Sequence, residues 1–353
     1  MLEQIARHRV FASVTAIEQL AGLYVSSDQL AGLHGDERPE AQLMRPLFDE
    51  PQPQRFQVVG PSGAGKTGFI FKVLGDLARR TAAGRAHEVL VVNVGDDPSR
   101  LEDGAGFMRT VVQLVARQGH RFATIESDVL RAASADEVTR TGPQVQHRGG
   151  LSAPVASYSV ALTEAYRQEK FGDNPIRARD DFEDVVRLVA RDYRPVIVID
   201  DTEHFVNAAD GRVDRVSVRN LYHHAIRALA ELDQLDIIVA VHPAYEDVDA
   251  VIEVSERFAF RRVEVPALPV DRDEPAIAAI LQRRLDRNGL RVRAEDVVDA
   301  GALAQLAGAY FLGGHDLRTV LNVADAAASA AHREGADRIA PRHVQPVLDQ
   351  LRR

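Results

Sequence analysis

The sequence predicts an α/β fold: a three-layer αβα domain on a five-stranded parallel sheet, followed by a C-terminal helical region. Three observations predict it. An apolar run at residues 56–59 leads into a glycine-rich stretch and then a helical pattern. A second apolar run, at 196–199, ends in Asp200 and Asp201. Around both, strand-like and helix-like patterns alternate as βαβ units require.

The elements follow in order. Residues 1–50 look helical and end at a Pro51-Gln52-Pro53 joint. Residues 56–59 read as a buried strand, and Phe69, Ile70, Val73, Leu74 and Leu77 give helical spacing over 66–80. Residues 87–94 are the second strand. About 100 residues then separate it from the strand at 196–199, far more than a compact αβ connection needs. Within that insertion, around 104–180, residues 106–119 have helical spacing. A polar stretch punctuated by glycine and proline, 139–166, reads as a loop or hairpin leading into a helix. Arg140, His147, Arg148 and Tyr158 either meet a phosphate backbone or a partner there, or sit on a solvated loop. Residues 170–190 end in an amphipathic helix. The run at 196–199 is typical of a strand buried on both faces. Residues 235–241 and 260–266 supply the last two strands, the former ending at His242-Pro243.

The glycine-rich stretch is GPSGAGKT: Gly60, Pro61, Ser62, Gly63, Ala64, Gly65, Lys66 and Thr67, with Gly68 next. This is the G-x-x-x-x-G-K-[ST] loop in its required strand–loop–helix context, and it predicts binding of a nucleoside triphosphate, ATP or ADP with Mg2+. The glycines let backbone N–H groups turn inward around phosphate, and the helix N-terminus adds its dipole. Only three lysines stand against forty arginines. A lysine kept at this spot points to a compact ammonium rather than a wide guanidinium fork. Thr67 would supply a hydroxyl to Mg2+, and Asp200, at a strand's carboxyl edge, would hold the ion through its water shell. Asp201 or Glu203 would orient the attacking water.

Composition bounds the rest. The net charge is −9, so no overall cationic field draws the chain to nucleic acid. No cysteine is present, which excludes disulfides and thiolate metal sites and fits a cytoplasmic protein. No apolar stretch reaches membrane-spanning length and the first residues lack signal-peptide shape, so no membrane association is expected.

From the loop onward the chain resembles the AAA+ ATPases, and among them the initiator clade of origin-recognition and replication-initiator proteins. GPSGAGKT stands as Walker A and VIVIDD as Walker B. SERFAFRRVEVPALP resembles the clade's "S-R-F" stretch, and GGHDLRTVLNVADAAASAA its "G-D-x-R" helix. AIAAILQRRLDRNGL and DRIAPRHVQPVLDQL resemble two further helices of the lid. The resemblance implies an N-terminal segment over 1–50 that reaches over the adenine, a P-loop core over 51–266 and a helical AAA+ lid over 267–353. It also implies roles: Arg257 as the arginine finger toward a neighbouring subunit's γ-phosphate, Arg318 as sensor 2, and His242 at sensor 1, where Asn, Ser or Thr is usual. The bland alternatives are an Arg257–Glu256 surface pair, Arg318 paired with Asp316 or Asp325, and a plain strand-end histidine.

Two departures stand out. Asp201 occupies the place of the usual catalytic Glu, one methylene short. Glu203 compensates only if the strand end bends. The clade's C-terminal winged-helix module has no counterpart before Arg353. These features together imply a slowly hydrolysing ATPase that oligomerises with itself or with AAA+ partners. It would act as a switch or loader in initiation, transposition or defence, through DNA or a separate effector or DNA-binding protein. The alternatives are a STAND-type nucleotide-gated scaffold and an ATP-binding subunit with little hydrolysis.

Overall fold

The computed structural model describes residues 1–13, 21–80, 87–93, 104, 106–108, 175–207, 211–268, 273–312 and 316–351. The polar stretch at 139–166, with Arg140, His147, Arg148 and Tyr158, lies outside them, as does most of the helix expected at 106–119.

In chain order, α1 (Leu2–Arg7), α2 (Ser27–Leu30) and α3 (Pro39–Asp49) precede β1 (Arg55–Val59), α4 (Lys66–Arg80) and β2 (His87–Asn93). Then come α5 (Pro175–Asp192), β3 (Arg194–Asp200) and a 3-10 turn, Thr202–Phe205. Next, α6 (Arg215–Asn220) passes through a π-helical turn, Leu221–Ile226, into α7 (Arg227–Ala230). β4 (Asp236–Val241), α8 (Asp249–Arg257) and β5 (Arg261–Glu264) follow. The C-terminal helices are α9 (Asp273–Arg287), α10 (Ala294–Val297), α11 (Ala300–Leu312), α12 (Leu317–Arg333) and α13 (Pro341–Leu351).

The sheet order is β2-β3-β4-β1-β5. β3 pairs in parallel with β2, Val198 opposite Val91, and with β4, Val198 opposite Ile238. The Ile237 N–H reaches Gln54 O at 2.8 Å, and the Val265 N–H reaches Val59 O at 2.9 Å. Ile197, Val198, Ile199, Ile237, Ile238 and Val239 are fully buried, the signature of strands covered on both faces.

The chain divides into two compact units. One comprises Met1–Leu43, Val59–Val73 and Val263–Arg353; the other comprises Met44–Val58 and Leu74–Arg262. In the first, N-terminal Leu2, Ile5, Val10 and Phe11 share one core with Leu281, Leu306, Val320, Ala324 and Ala327. The start of the chain thus packs into the same core as the C-terminal helices. Arg9 Nε donates to Asp325 Oδ2 at 3.0 Å, and Arg284 Nη1 donates to Ala12 O at 2.6 Å. Burial pushes the Arg284 guanidinium down to about 10, which leaves it charged at neutral pH.

In the second unit, an ion pair ties the ends of two strands to the Pro-rich joint. Arg194 Nε and Nη2 donate to Asp236 Oδ2 and Oδ1 at 2.6 and 2.9 Å. The Gln54 N–H reaches Asp236 Oδ1 at 2.6 Å, while Arg194 also donates to Glu50 O and Gln52 O.

Candidate functional site

β1 leads in sequence into the glycine loop, which lies in the first unit. Gly63 and Gly65 take φ +72° and +93°, values an L side chain rarely adopts, and these turn the backbone inward. Lys66 is buried, and its Nζ donates to Gly60 O at 2.8 Å and Pro61 O at 3.0 Å. A Cβ at Gly60 would press on Ala64 and Val265 Cβ atoms at 3.3 and 3.4 Å. Thr67 and the buried Gly68 lie in the first turn of α4, whose leading N–H groups have no intrahelical acceptor. A concave backbone, a helix N-terminus and a buried ammonium folded onto the loop's own carbonyls fit a polyphosphate.

The same unit places α12 against this loop. Asp316 caps α12, with Oδ1 accepting from the Arg318 N–H at 2.8 Å and Oδ2 from Thr319 Oγ1 at 2.7 Å. Its carboxylate lies so close to Gly63 that any Cβ there would overlap Asp316 Oδ1. Gly63→Ala therefore combines a steric clash with an unfavourable φ. It should weaken nucleotide binding about tenfold or more, read by titration. Arg318 is exposed and forms no ion pair among the described residues. Asp325 instead pairs with Arg9. The surface-pair alternative for Arg318 is not what the side chains do.

The acidic residues Asp200, Asp201 and Glu203 lie in the second unit. β3 ends in buried Asp200, whose Cα partner on β2 is Asn93. Asp201 then adopts a left-handed conformation, φ 57° and ψ 35°, immediately before the 3-10 turn. Aspartate tolerates this region better than most residues. The chain therefore turns sharply where β3 ends. The bend is held from two sides: Thr202 Oγ1 donates to Ala240 O at 2.5 Å, and Tyr245 Oη donates to Thr202 O. Burial raises the Tyr245 phenol above its usual range, with the negative charges of Glu203 and Asp201 adding to the effect. Asp201 is exposed and Glu203 half-buried. His242, after β4, accepts the Ala244 N–H on Nδ1 at 3.2 Å, which assigns the neutral ring's proton to Nε2.

Arg257 is the last residue of α8. The Phe260 N–H reaches Ser255 O at 2.9 Å and the Ala259 N–H reaches Glu256 O at 3.3 Å, a Schellman closure. Ala259 occupies its left-handed position at φ 51°, where glycine is usual. Ala259→Gly should stabilise the protein by about 1 kcal/mol, seen as a higher urea midpoint. Arg257 is exposed, makes no ion pair among the described residues, and sits 5.4 Å from the Phe258 ring centroid. The Glu256 pairing does not form.

No family model matches the chain, and no curated protein matches it by sequence. Solved structures do. An ORC2 protein of Aeropyrum pernix, solved as ADPNP–ADP complexes, superposes with a TM-score of 0.54 at 14% identity, covering 97% of this chain and 71% of that one. An ORC1 protein of Aeropyrum pernix in complex with DNA gives 0.51 at 16% identity, covering 90% of this chain and 66% of that one. Drosophila ORC bound to DNA gives 0.50 at 15% identity, covering all of this chain and 66% of that one. The chain has the fold of these ORC proteins. It spans about two thirds of the length of these neighbours.

Within this fold, sequence reasoning missed Tyr245, Asp316 as a neighbour of the loop, and Phe258. The D-x-R spacing was a usable signal for Asp316. Tyr245 carried none beyond its place three residues after His242. The described residues hold no group of acidic or histidine side chains arranged for a metal by themselves. Thr67 and Asp200 carry the oxygen donors suited to a nucleotide's Mg2+. No helix among the described residues is long and apolar enough to cross a membrane.

Proposed function

We propose that this chain is an ATP-binding, slowly hydrolysing AAA+ switch that assembles through nucleotide at subunit interfaces and serves a DNA transaction. The phosphate loop carries the reading: a buried ammonium on loop carbonyls, with the cap of α12 against Gly63 and an exposed Arg318 just inside that helix. The loop N–H groups and Lys66 would bind the β- and γ-phosphates, and Arg318 would close on them from α12. Bound Mg2+, held by Thr67 and Asp200, would offset charge on the phosphate oxygens.

Glu203 is the residue we assign to orienting water. The left-handed turn at Asp201 and the Thr202–Ala240 bond support that choice over Asp201. His242 Nε2 would donate to that water or to a phosphate oxygen. Arg257, exposed and without an acidic partner among the described residues, would supply its charge to a neighbouring copy or another AAA+ subunit. The DNA role rests on the fold alone, since two of the superposed neighbours were solved with DNA.

Mixing two inactive variants tests the reading. Arg257→Ala keeps its own loop and Lys66→Ala keeps its arginine, so the mixture should regain ATPase activity that neither has alone. No regain under conditions where mixed oligomers form would refute action in trans. Glu203→Gln should slow turnover about 100-fold and Asp201→Asn much less, the size of effect expected of a general base. The reverse ranking would return the role to Asp201. A second reading, a nucleotide-gated scaffold with negligible turnover, is favoured by the short, exposed Asp201. Tightly retained ADP without turnover would select it.

A further inference from the structure

The turn that presents Arg257 is held by β1. Arg55 and Gln57 are two residues apart and so lie on one face of that strand. Gln57 is buried, and its Nε2 donates to Ser255 Oγ at 2.7 Å and to Tyr222 Oη, in the π-helical turn, at 3.2 Å. Ser255 Oγ passes the bond on to Val251 O, one turn back along α8, at 2.5 Å. The Arg55 guanidinium carbon lies 6.0 Å from the Phe258 ring centroid, the same ring that Arg257 approaches to 5.4 Å. Arg55 Nη2 is tied to Ala230 O at 2.7 Å, while its Nε is buried with no hydrogen-bond partner among the described residues.

The face of an aromatic ring is electron-rich and attracts cations. A ring fixed by one half-buried arginine is therefore a defined rest for a second, exposed one. We infer that Arg55 and Gln57 are positioning residues for Arg257: Gln57 anchors the last turn of α8 through Ser255, and Arg55 fixes Phe258, on which Arg257 rests. The inference rests on the reading of Arg257 as an arginine acting in trans. β1 continues in sequence into Gly60, so one strand leads to the loop of one site and steadies the arginine offered to the next. A catalytic cation placed in advance saves reorganisation when charge develops on the transferring phosphate.

The mixed-variant assay separates this role from a merely structural one. Arg55→Met and Gln57→Leu are introduced in turn into the Lys66→Ala partner, which supplies the arginine. Restored activity should fall about tenfold in each case, as for a displaced reacting group. Arg55→Lys, which keeps a cation near Phe258, should retain most of the activity. The same substitutions placed in the Arg257→Ala partner, which supplies only the loop, should leave restoration unchanged. Urea midpoints are read for every variant. Equal losses in both placements, or no loss in either, would overturn the inference. If the parent pair restores nothing, the trans reading itself falls and takes the inference with it.

Discussion

Lys66→Ala should weaken ATP binding about 100-fold, the loss expected when a charged donor to phosphate oxygens is removed. The side chain is buried, and its ammonium lies on the carbonyls of Gly60 and Pro61 at 2.8 and 3.0 Å, held inside the loop's curve. Alanine leaves these carbonyls without the donor and removes the only cation in the motif. Lys66→Arg should fail almost as badly, because a planar fork cannot occupy a pocket shaped for a point charge. Titration of a fluorescent ATP analogue reads the effect, with the urea midpoint measured beside it to separate binding from folding. An unchanged dissociation constant would refute the assignment of this loop to phosphate.

Asp236→Ala should cost about 3–5 kcal/mol of stability, the range for breaking a buried ion pair from one side. Asp236 is 1% exposed and accepts two bonds from Arg194 and one from the Gln54 N–H. Alanine strands a largely buried guanidinium and a buried amide together. Asp236→Asn should lose less, since its amide oxygen still accepts from Gln54. The Arg194 bonds to Glu50 O and Gln52 O mean that the joint leading into β1 should loosen as well. Urea unfolding followed by circular dichroism decides it. A loss below about 1 kcal/mol would show that the pair is no stronger than a surface one.

Much of the core was legible because its signals are local. The run of Val196, Ile197, Val198 and Ile199 reads as a two-faced buried strand from four adjacent letters, and β3 is that strand. The helix over 66–80 starts and stops where its apolar spacing predicts. The N-terminus was less legible. Its residues spell helix, but nothing in Leu2, Ile5 or Phe11 says that their apolar faces join the core of helices some 300 residues later. The site divides the same way. A strand ending in Asp200-Asp201 is visible in the sequence, whereas the left-handed turn at Asp201, on which our proposal for Glu203 rests, is not. Pairing with Glu256 was a fair guess for Arg257 from adjacency alone. The helix end turns the side chain onto Phe258 instead.

By itself the sequence determined that this chain carries a phosphate loop, since eight contiguous residues and their flanking strand and helix contain all the backbone geometry such a loop needs. It likewise determined the alternating strands and helices, which follow from side-chain periods of two and 3.6. Only the tertiary structure decided that Asp316 closes on Gly63, that Thr202 and Tyr245 hold the bend before Glu203, and that Arg55 and Gln57 grip the turn bearing Arg257. Each of these brings together residues far apart in the chain, and the order β2-β3-β4-β1-β5 is what lays β1 beside β4 and β5. Periodicity records which face of an element is buried; it carries no record of what that face meets.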